Sequence, residues 1–410
     1  MRKEVKIGMF GFGCVGQGLY DVLTNSKGFR AEIKRFVVKD KNKKRKLPAH
    51  LFSFDKNDIL NDPEINLVVE LIDNADDAYE IVKSALLKKK NVVTANKKMI
   101  AHHFEELVKL QKETGASLLY EASACGSIPI IRTLEEYYDN ELVNSVSGIF
   151  NGSSNYILSK IQNENLSYAT ALKQAQELGF AESNPKLDVG GYDAKYKMII
   201  IAAHAYGVFV HPDQVLNLGI ENLKQEDVDY AKKNKFKIRL INRILKLDEN
   251  KVALYTIPTF IEKDNPLYYV ENETNAVTVE AAFSDKQLFI GKGAGGHPTG
   301  SAVLSDVSAN SYEYKYEYKR TYQAEHYAFT NNLEIEIYVD SHDERLLDEL
   351  EFSSITEHER NAVKGWISLN ALLRKKNLIE ESGTFIAATG LISKGRKVIS
   401  AKEQEAIQIS

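Results

Sequence analysis

Four charged residues in the middle of the sequence have the types and spacing to bind and protonate a small polar substrate. Glu182, Asp188 and Asp193 come just before an apolar stretch, and Lys197 follows Asp193 by four residues. That spacing puts Asp193 and Lys197 on one face of a predicted helix. An ordinary helix ion pair worth about 0.3 kcal/mol explains these two residues. Carboxylates beside an apolar stretch are costly unless they face a polar pocket, so a substrate site is the alternative interpretation.

A further lysine lies where open α/β sheets bind their ligands. The segment TANK, residues 94–97, directly follows a predicted strand. Ligands of such sheets bind outside the carboxyl ends of the strands, so Thr94 and Lys97 are candidate cofactor-binding residues. Lysine is more often a surface residue. The residue type alone therefore leaves both interpretations open.

The motif GFGCVG matches the pattern G-x-G-x-x-G, directly after one predicted strand and at the start of a predicted helix. In this pattern the glycines allow a tight turn, close approach to a pyrophosphate and close helix packing. The diphosphate then lies at the helix N-terminus, whose free N–H groups favour anions. The predicted cofactor-binding residues of this turn are Gly11, Phe12, Gly13, Cys14, Val15 and Gly16.

The end of the second predicted strand bears on the choice between NADP and NAD. Asp40 is placed to accept hydrogen bonds from a ribose 2′-hydroxyl, which favours NAD. Lys39 precedes it, however, and five more basic residues follow by residue 46. A solvated loop explains such a run, but beside the nucleotide turn a basic cluster suits a 2′-phosphate. We therefore expect NADP, with Lys39 as a cofactor-binding residue and NAD as the alternative.

Strands and helices alternate over the first 125 residues, which predicts βαβ units in a doubly wound parallel sheet of the Rossmann type. After residue 130 the pattern becomes that of an α+β domain, and the last hundred residues predict a small α+β domain. We expect domains at 1–130, 131–310 and 311–410, with residues 291–310 returning to the first. The predicted elements of the second and third domains include helices at 193–206, 302–310 and 363–374 and a strand of alternating tyrosines at 312–318.

Composition limits the classes of protein that this chain represents. The chain has 410 residues and a net charge of −4, so we expect neither nucleic-acid nor membrane partners. Two cysteines, Cys14 and Cys125, cannot form a disulfide framework, and no Cys/His spacing matches a zinc site. The charged start of the chain differs from a signal peptide, and the longest apolar stretch is too short to span a bilayer. These features predict a cytoplasmic protein.

Six ordered blocks over about residues 5–310 resemble homoserine dehydrogenase: GFGCVGQG, VVTANKK, YEASACGSIPII, GIFNGSSNYIL, GFAESNPKLDVGGYDAKYK and GKGAGGHPTGSAVLSD. The resemblance implies NAD(P)H-dependent interconversion of L-aspartate 4-semialdehyde and L-homoserine, in threonine and methionine biosynthesis. It also implies a homodimer or homotetramer, with residues 131–310 as the substrate-binding and dimerisation domain. Another Rossmann enzyme of the same pathway, such as aspartate-semialdehyde dehydrogenase with Cys125 as nucleophile, is one alternative. A non-catalytic dinucleotide sensor is the other.

Residue roles follow from the positions of these motifs. The resemblance implies that Lys97 and Lys197 are catalytic, that Glu182 and Asp193 hold the substrate and that Asp188 supports the site. Reduction of an aldehyde needs hydride at carbon and a proton at oxygen, and a lysine is a suitable donor of that proton. We expect Lys197 to donate it, with Asp193 orienting the lysine or the substrate.

Departures from the family pattern bear on two further positions. Ser153 keeps a hydroxyl where the family usually has threonine, and we count it as substrate-binding. Phe180 replaces a frequent tyrosine, so no hydroxyl role carries over to that position.

Gly295 and Gly296 are expected to bring backbone N–H groups back to the cofactor.

The resemblance also implies a monovalent cation, Na⁺, bound by the Glu121 carboxylate and by the carbonyl oxygens of Ala124, Gly126 and Ile128. Hard cations prefer such oxygen ligands.

Family members often end in a regulatory ACT domain, and residues 311–410 have a suitable length. The segment DSHDERLLDEL lacks the Pro-Gly turn that is usual there. An ACT-like domain that responds to threonine is therefore only one interpretation of this segment.

Overall fold

The structure, a computed structural model, describes residues 4–247, 250–323, 326–341, 343–359, 362–394 and 397–399. The strands are β1 (Lys6–Phe10), β2 (Glu32–Val37), β3 (Phe52–Ser53), β4 (Leu67–Glu70), β5 (Asn91–Thr94), β6 (Leu118–Leu119), β7 (Val143–Ile149), β8 (Leu216–Asn217), β9 (Lys237–Lys246), β10 (Lys251–Ile261), β11 (Thr274–Ala281), β12 (Asp285–Lys292), β13 (Ala328–Phe329), β14 (Glu334–Asp340), β15 (Ser354–Glu359), β16 (Ala362–Ser368), β17 (Phe385–Lys394) and β18 (Lys397–Ile399). The helices are α1 (Cys14–Asn25), α2 (Asn57–Leu60), α3 (Ala75–Leu87), α4 (Lys97–Thr114), α5 (Ile130–Arg132), α6 (Gly152–Glu164), α7 (Tyr168–Glu177), α8 (Lys186–Val189), α9 (Tyr192–Tyr206), α10 (Gln225–Lys233), α11 (Gly296–Asn310), α12 (Glu344–Glu349) and α13 (Leu369–Ser382).

The chain divides into two compact units. The first comprises Met1–Glu136 with Lys292–Lys319, and the second comprises Tyr137–Gly291 with Arg320–Ser410. This division differs from the three predicted domains, because residues 311–319 belong to the first unit and the rest of the third predicted domain belongs to the second. Among the helices that the structure describes, none has the length and apolar content to cross a bilayer.

The first unit contains a six-stranded sheet in the order β3-β2-β1-β4-β5-β6. The registered neighbours run parallel, so the carboxyl ends of β1, β4 and β5 lie at one edge. Strand β4 is buried along its whole length, as expected for an apolar strand covered on both faces. The predicted doubly wound, Rossmann-type parallel sheet is thereby confirmed.

Helices α1 and α11 make a close glycine contact within this unit. A Cβ atom at Gly18 would overlap the carbonyl oxygen of Gly296, and one at Gly300 would lie 2.6 Å from the backbone of Gly18. Helix α11 begins at Gly296, six residues before the predicted start at residue 302. The sequence pattern missed this turn because glycine and proline have low helix propensity, whereas packing against α1 supports it.

The second unit has one large mixed sheet whose main path is β12-β11-β7-β9-β10-β17-β14-β16-β15. Strands from before and after residues 292–319 therefore share a sheet, joined where Thr259 in β10 pairs with Ala388 in β17. One hydrophobic cluster also combines Leu216 and Tyr255 with Ile335 and Leu372. This shared core explains why a boundary at residue 311 does not describe the packing.

Two local predictions in the C-terminal hundred residues are wrong. The predicted helix at 363–374 is strand β16 followed by helix α13. Helix α13 begins after Ser368, and the Ser368 hydroxyl accepts a hydrogen bond from the N–H of Ala371. The predicted tyrosine strand at 312–318 forms no strand. Tyr316 and Tyr318 are instead buried against Tyr120 in the first unit, so their alternation reflects side-chain packing and not strand pairing.

Candidate functional site

The turn between β1 and α1 has the geometry that an anion-binding helix start requires. Gly11 has φ +90°, and a Cβ atom there would lie 2.5 Å from the carbonyl oxygen of Leu71. A Cβ at Gly16 would lie 2.7 Å from the carbonyl oxygen of Gly11. Gly13 and Cys14, at the first turn of α1, are exposed. The helix therefore presents unpaired N–H groups to solvent, where its dipole favours a phosphate.

The second glycine segment predicted to bind the cofactor lies against this turn. Gly295 has φ +121°, and a Cβ at Gly296 would lie 3.0 Å from the carbonyl oxygen of Cys14. A larger side chain at Gly296 would interfere with the start of α1. The structure thus brings the predicted residues of 11–16 and 295–296 together in one unit.

The basic loop after β2 has a carboxylate that is engaged with its own backbone. Asp40 Oδ1 accepts hydrogen bonds from the N–H groups of Asn42 at 2.8 Å and Lys43 at 3.2 Å. Arg45 donates to the carbonyl oxygen of Asp40 at 2.6 Å, while Lys39 and Lys41 are exposed. The loop therefore presents mostly positive charge, and the Asp40 carboxylate stabilises the loop.

A buried carboxyl group orders the neighbouring strand ends. Glu70, fully buried at the end of β4, accepts hydrogen bonds from the Thr94 hydroxyl at 2.6 Å and from the N–H of Ile72 at 2.7 Å. Thr94 Oγ1 accepts the N–H of Asn96 at 3.0 Å, and Asn96 caps α4 through the N–H of Met99. This network orders the backbone at the start of α4, whose first residue is Lys97. Sequence reasoning missed Glu70, although a lone carboxylate within the apolar run INLVVELI was an available signal.

Burial gives Glu70 a measurable effect on the pH dependence of stability. It raises the pKa of this carboxyl from 4.5 to about 7, so between these pH values the folded chain holds a proton that the unfolded chain has lost. The contribution of Glu70 to stability is therefore fully present below pH 4.5 and is lost as pH rises through 7. Glu70→Gln is expected to remove this fall, on the order of 3 kcal/mol between pH 4 and pH 8. Urea unfolding of the wild-type and Glu70→Gln proteins across this pH range measures the free energy of unfolding of each. An equal dependence of that free energy on pH in both proteins would contradict the assignment.

In the second unit, four polar side chains meet at the starts of two helices. Asn151 Nδ2 donates to Asp188 Oδ1 at 2.8 Å and to Asp193 Oδ2 at 2.9 Å. Lys197 Nζ lies 2.7 Å from Asp193 Oδ2 and donates to the carbonyl oxygen of Phe150 at 2.8 Å. Asp193 and Lys197 are each 6% exposed. The pair is thus desolvated and is not the solvent-exposed helix ion pair of the ordinary interpretation.

Local structure explains this arrangement. Asn151 is the N-cap of α6, where its Oδ1 accepts the N–H of Ser154 at 2.8 Å, so its amide group remains available to join the two aspartates. Gly191, with φ +75°, precedes α9. Residues 193–206 of α9 are all buried, because the helix is apolar on nearly every face. The buried charges of Asp193 and Lys197 are therefore paired with each other.

The other predicted substrate residues have different surroundings. Ser153 is buried, and its hydroxyl donates to the carbonyl oxygen of Phe180. Glu182 is exposed, unlike the buried pair formed by Asp193 and Lys197. Asn151 belongs to the quoted GIFNGSSNYIL block but was not singled out, although asparagine before a helix start is a known capping signal.

The proposed cation ligand Glu121 has a structural role in the first unit. Its fully buried carboxylate accepts the N–H groups of Ile131 at 2.8 Å and Arg132 at 2.9 Å. Its backbone N–H donates to Asp306 Oδ2, and the Arg132 guanidinium donates to Asp306 Oδ1 at 2.7 Å. Burial raises the pKa of both carboxyls. The described residues contain no group of three or more His, Cys, Asp and Glu side chains that could hold a metal ion.

Comparisons with known proteins identify the family. A family model described as homoserine dehydrogenase matches residues 129–308, and the model of its NAD-binding domain matches residues 11–121. The homoserine dehydrogenase of Bacillus subtilis is 37% identical over 316 residues, which is 75% of this chain and 73% of that protein. The chain belongs to the homoserine dehydrogenase family. It is an NAD(P)-dependent oxidoreductase that acts on a CH–OH group.

Solved homoserine dehydrogenases share the fold as well. The enzyme from Thiobacillus denitrificans is 26% identical with a TM-score of 0.80, and the match covers 95% of this chain and 99% of that one. A hyperthermophilic archaeal homoserine dehydrogenase in complex with NADPH is 26% identical with a TM-score of 0.66 over 77% of this chain and 99% of that one.

Membership of the homoserine dehydrogenase family decides between the classes left open by the sequence. The aspartate-semialdehyde dehydrogenase and sensor alternatives are not favoured. Cys125, the nucleophile of the first alternative, is fully buried. A thiol in that position has no exposed surface for attack on a substrate.

Proposed function

We propose that this chain reversibly reduces L-aspartate 4-semialdehyde to L-homoserine, with Lys197 as the proton donor. The observation that carries the proposal is the buried contact of Lys197 Nζ with Asp193 and the Phe150 carbonyl oxygen. These two acceptors direct the ammonium group and leave one of its three protons for a substrate oxygen. A desolvated cation of this kind stabilises a developing alkoxide more strongly than an exposed lysine does.

Acidic and hydroxyl groups would position the substrate, which carries an ammonium and a carboxylate. Asp193 both orients Lys197 and offers charge to the substrate, while Asp188 is tied to it through Asn151. Glu182 is exposed and available to an ammonium group, and Ser153 contributes a hydroxyl. Lys97, at the N-terminus of α4, would help to place the substrate beside the nicotinamide.

The cofactor in this proposal is NADP, which supplies or accepts the hydride. The exposed N-terminus of α1 fits a diphosphate, with Gly295 and Gly296 beside it. The basic loop fits a 2′-phosphate, because Asp40 is engaged by its own backbone while Lys39 is exposed. The archaeal relative in complex with NADPH supports the same choice.

Homoserine-dependent reduction of NADP and of NAD tests the activity and the cofactor together. We expect a higher kcat/KM with NADP, and loss of most of this preference in Lys39→Ala. Lys56→Ala, which changes an exposed lysine outside the basic loop, is the control. No turnover with either cofactor would contradict the proposed reaction, whereas an equal or higher kcat/KM with NAD would contradict only the cofactor choice.

A monovalent cation, Na⁺, is also part of the proposal. Backbone carbonyl oxygens of Ala124, Gly126 and Ile128 would supply most ligands, because the Glu121 carboxylate already accepts two N–H groups. The two consecutive positive φ angles at Cys125 and Gly126 curve this loop sharply. Turnover should rise with added NaCl but not with tetramethylammonium chloride at equal ionic strength, and equal responses would argue against the site.

Self-association into a homodimer or homotetramer completes the proposal. The second unit exposes large apolar side chains at Tyr137, Leu142, Phe283, Leu288 and Ile290. Leu288 and Ile290 lie on β12, an edge strand of its sheet, and exposed apolar edges favour association. Light scattering should give at least twice the chain mass, and a monomer at micromolar concentration would contradict this.

The low cysteine content supports a cytoplasmic location.

A further inference from the structure

Lys376 in the C-terminal helix α13 makes a directed contact with the central part of the second unit. Its Nζ donates to Asn217 Oδ1 at 2.8 Å, across 159 residues of sequence. The ammonium lies 4.5 Å from the ring centroid of Tyr192, the first residue of α9. The side chain is 13% exposed, and Glu380 on the same helix is 3.5 Å away. Lysine is thus held here by a fixed set of acceptors, which is unusual for a surface residue.

Asn217 connects Lys376 to the turn between α8 and α9. It is fully buried, and its Nδ2 donates to the carbonyl oxygen of Gly190 at 2.7 Å. Gly190 and Gly191 separate Asp188 at the end of α8 from Asp193 at the start of α9. Two adjacent glycines have little conformational preference of their own. The distance between the two aspartates therefore depends on what holds this turn.

Charge and burial around Lys376 argue against an ordinary surface ion pair. Burial lowers the pKa of Lys376. It also lowers the pKa of Lys195, on helix α9, to about 8. Lys195 Nζ lies 5.3 Å from the same Tyr192 ring. A second buried cation is electrostatically unfavourable unless its hydrogen bonds compensate for the repulsion and desolvation. The contact of Lys376 with Asn217 is such a compensating bond.

We propose that Lys376 is a positioning residue for the dehydrogenase reaction. Through Asn217 it holds the Gly190–Gly191 turn, so that Asp188 and Asp193 keep the spacing that Asn151 bridges. The C-terminal segment after residue 320 thereby contributes to substrate binding without touching the substrate. The inference rests on the proposed function of Asp188 and Asp193.

The test compares Lys376→Met with Lys375→Met in the full-length enzyme. Lys375 is the adjacent residue on α13, and its Nζ contacts Glu349 instead of Asn217. Lys376→Met should raise the KM for homoserine by about tenfold, the effect of one lost buried hydrogen bond. NADPH affinity should stay within about twofold, because the contact lies in the second unit. Lys375→Met should leave both quantities near wild type.

Two further variants keep the result interpretable. Asn217→Leu should raise the KM to a similar extent, and the double variant should add little, because both changes break one chain of contacts. Lys376→Gln, which retains a donor, should recover part of the affinity. Additive effects, or a lower melting temperature with unchanged KM, would overturn the proposal in favour of a purely structural role. If Asp193→Asn leaves KM and kcat unchanged, the proposed substrate site itself fails, independently of Lys376.

Discussion

Replacement of Lys197 by methionine is expected to lower homoserine-dependent turnover by at least about 10³-fold. Methionine keeps much of the side-chain volume but removes the proton and the charge that would meet the substrate oxygen. Asp193 retains the hydrogen bond from Asn151, so the carboxylate is not left without a donor. NADPH affinity should stay within about twofold, because the cofactor turn belongs to the first unit. Steady-state kinetics and fluorescence titration of NADPH measure the two quantities.

Lys195→Met is the matched control for this change. Lys195 lies two residues away on α9 and is also buried, at 5% exposure, but its closest acceptor is the carbonyl oxygen of Val215 at 3.5 Å. This variant should keep most of the wild-type kcat. Near-normal turnover in Lys197→Met, or equal losses in both variants, would remove Lys197 from the role of proton donor.

Replacement of Gly18 by alanine is expected to destabilise the protein by about 3 kcal/mol, although alanine is the better helix former. The added methyl group would overlap the carbonyl oxygen of Gly296, which is backbone and cannot rotate away. Helices α1 and α11 would have to separate, and Gly295 and Gly296 would move from the start of α1. NADPH affinity should therefore fall by at least about tenfold together with the stability.

Gly28→Ala provides the comparison, because a Cβ atom at Gly28 meets nothing within 4 Å and its φ is not positive. Its free energy of unfolding should stay within about 0.5 kcal/mol of wild type. Urea unfolding and NADPH titration of both variants test the prediction. A Gly18→Ala protein with wild-type stability and cofactor affinity would show that the helix contact is not as close as described.

Sequence patterns predicted the parts of this protein that depend on neighbouring residues. The turn GFGCVG, the alternation of strands and helices before residue 125 and the helix that carries Asp193 and Lys197 are all local features, and the structure contains each of them. Patterns failed where packing outweighs propensity. Helix α11 begins in a glycine-rich segment because α1 accepts it closely, and β16 is a strand because it pairs with β14.

The residue types and order of the sequence determined the family and the nucleotide fold of this protein, because spacing along one helix or one turn is a property of the chain itself. Only the tertiary structure decided which distant groups meet. Asn151 reaches Asp193 across 42 residues, Glu70 reaches Thr94 across 24, and Lys376 reaches Asn217 across 159. Such contacts depend on how sheets and helices pack. A polar side chain is held in them because burial makes an unpaired donor or acceptor costly.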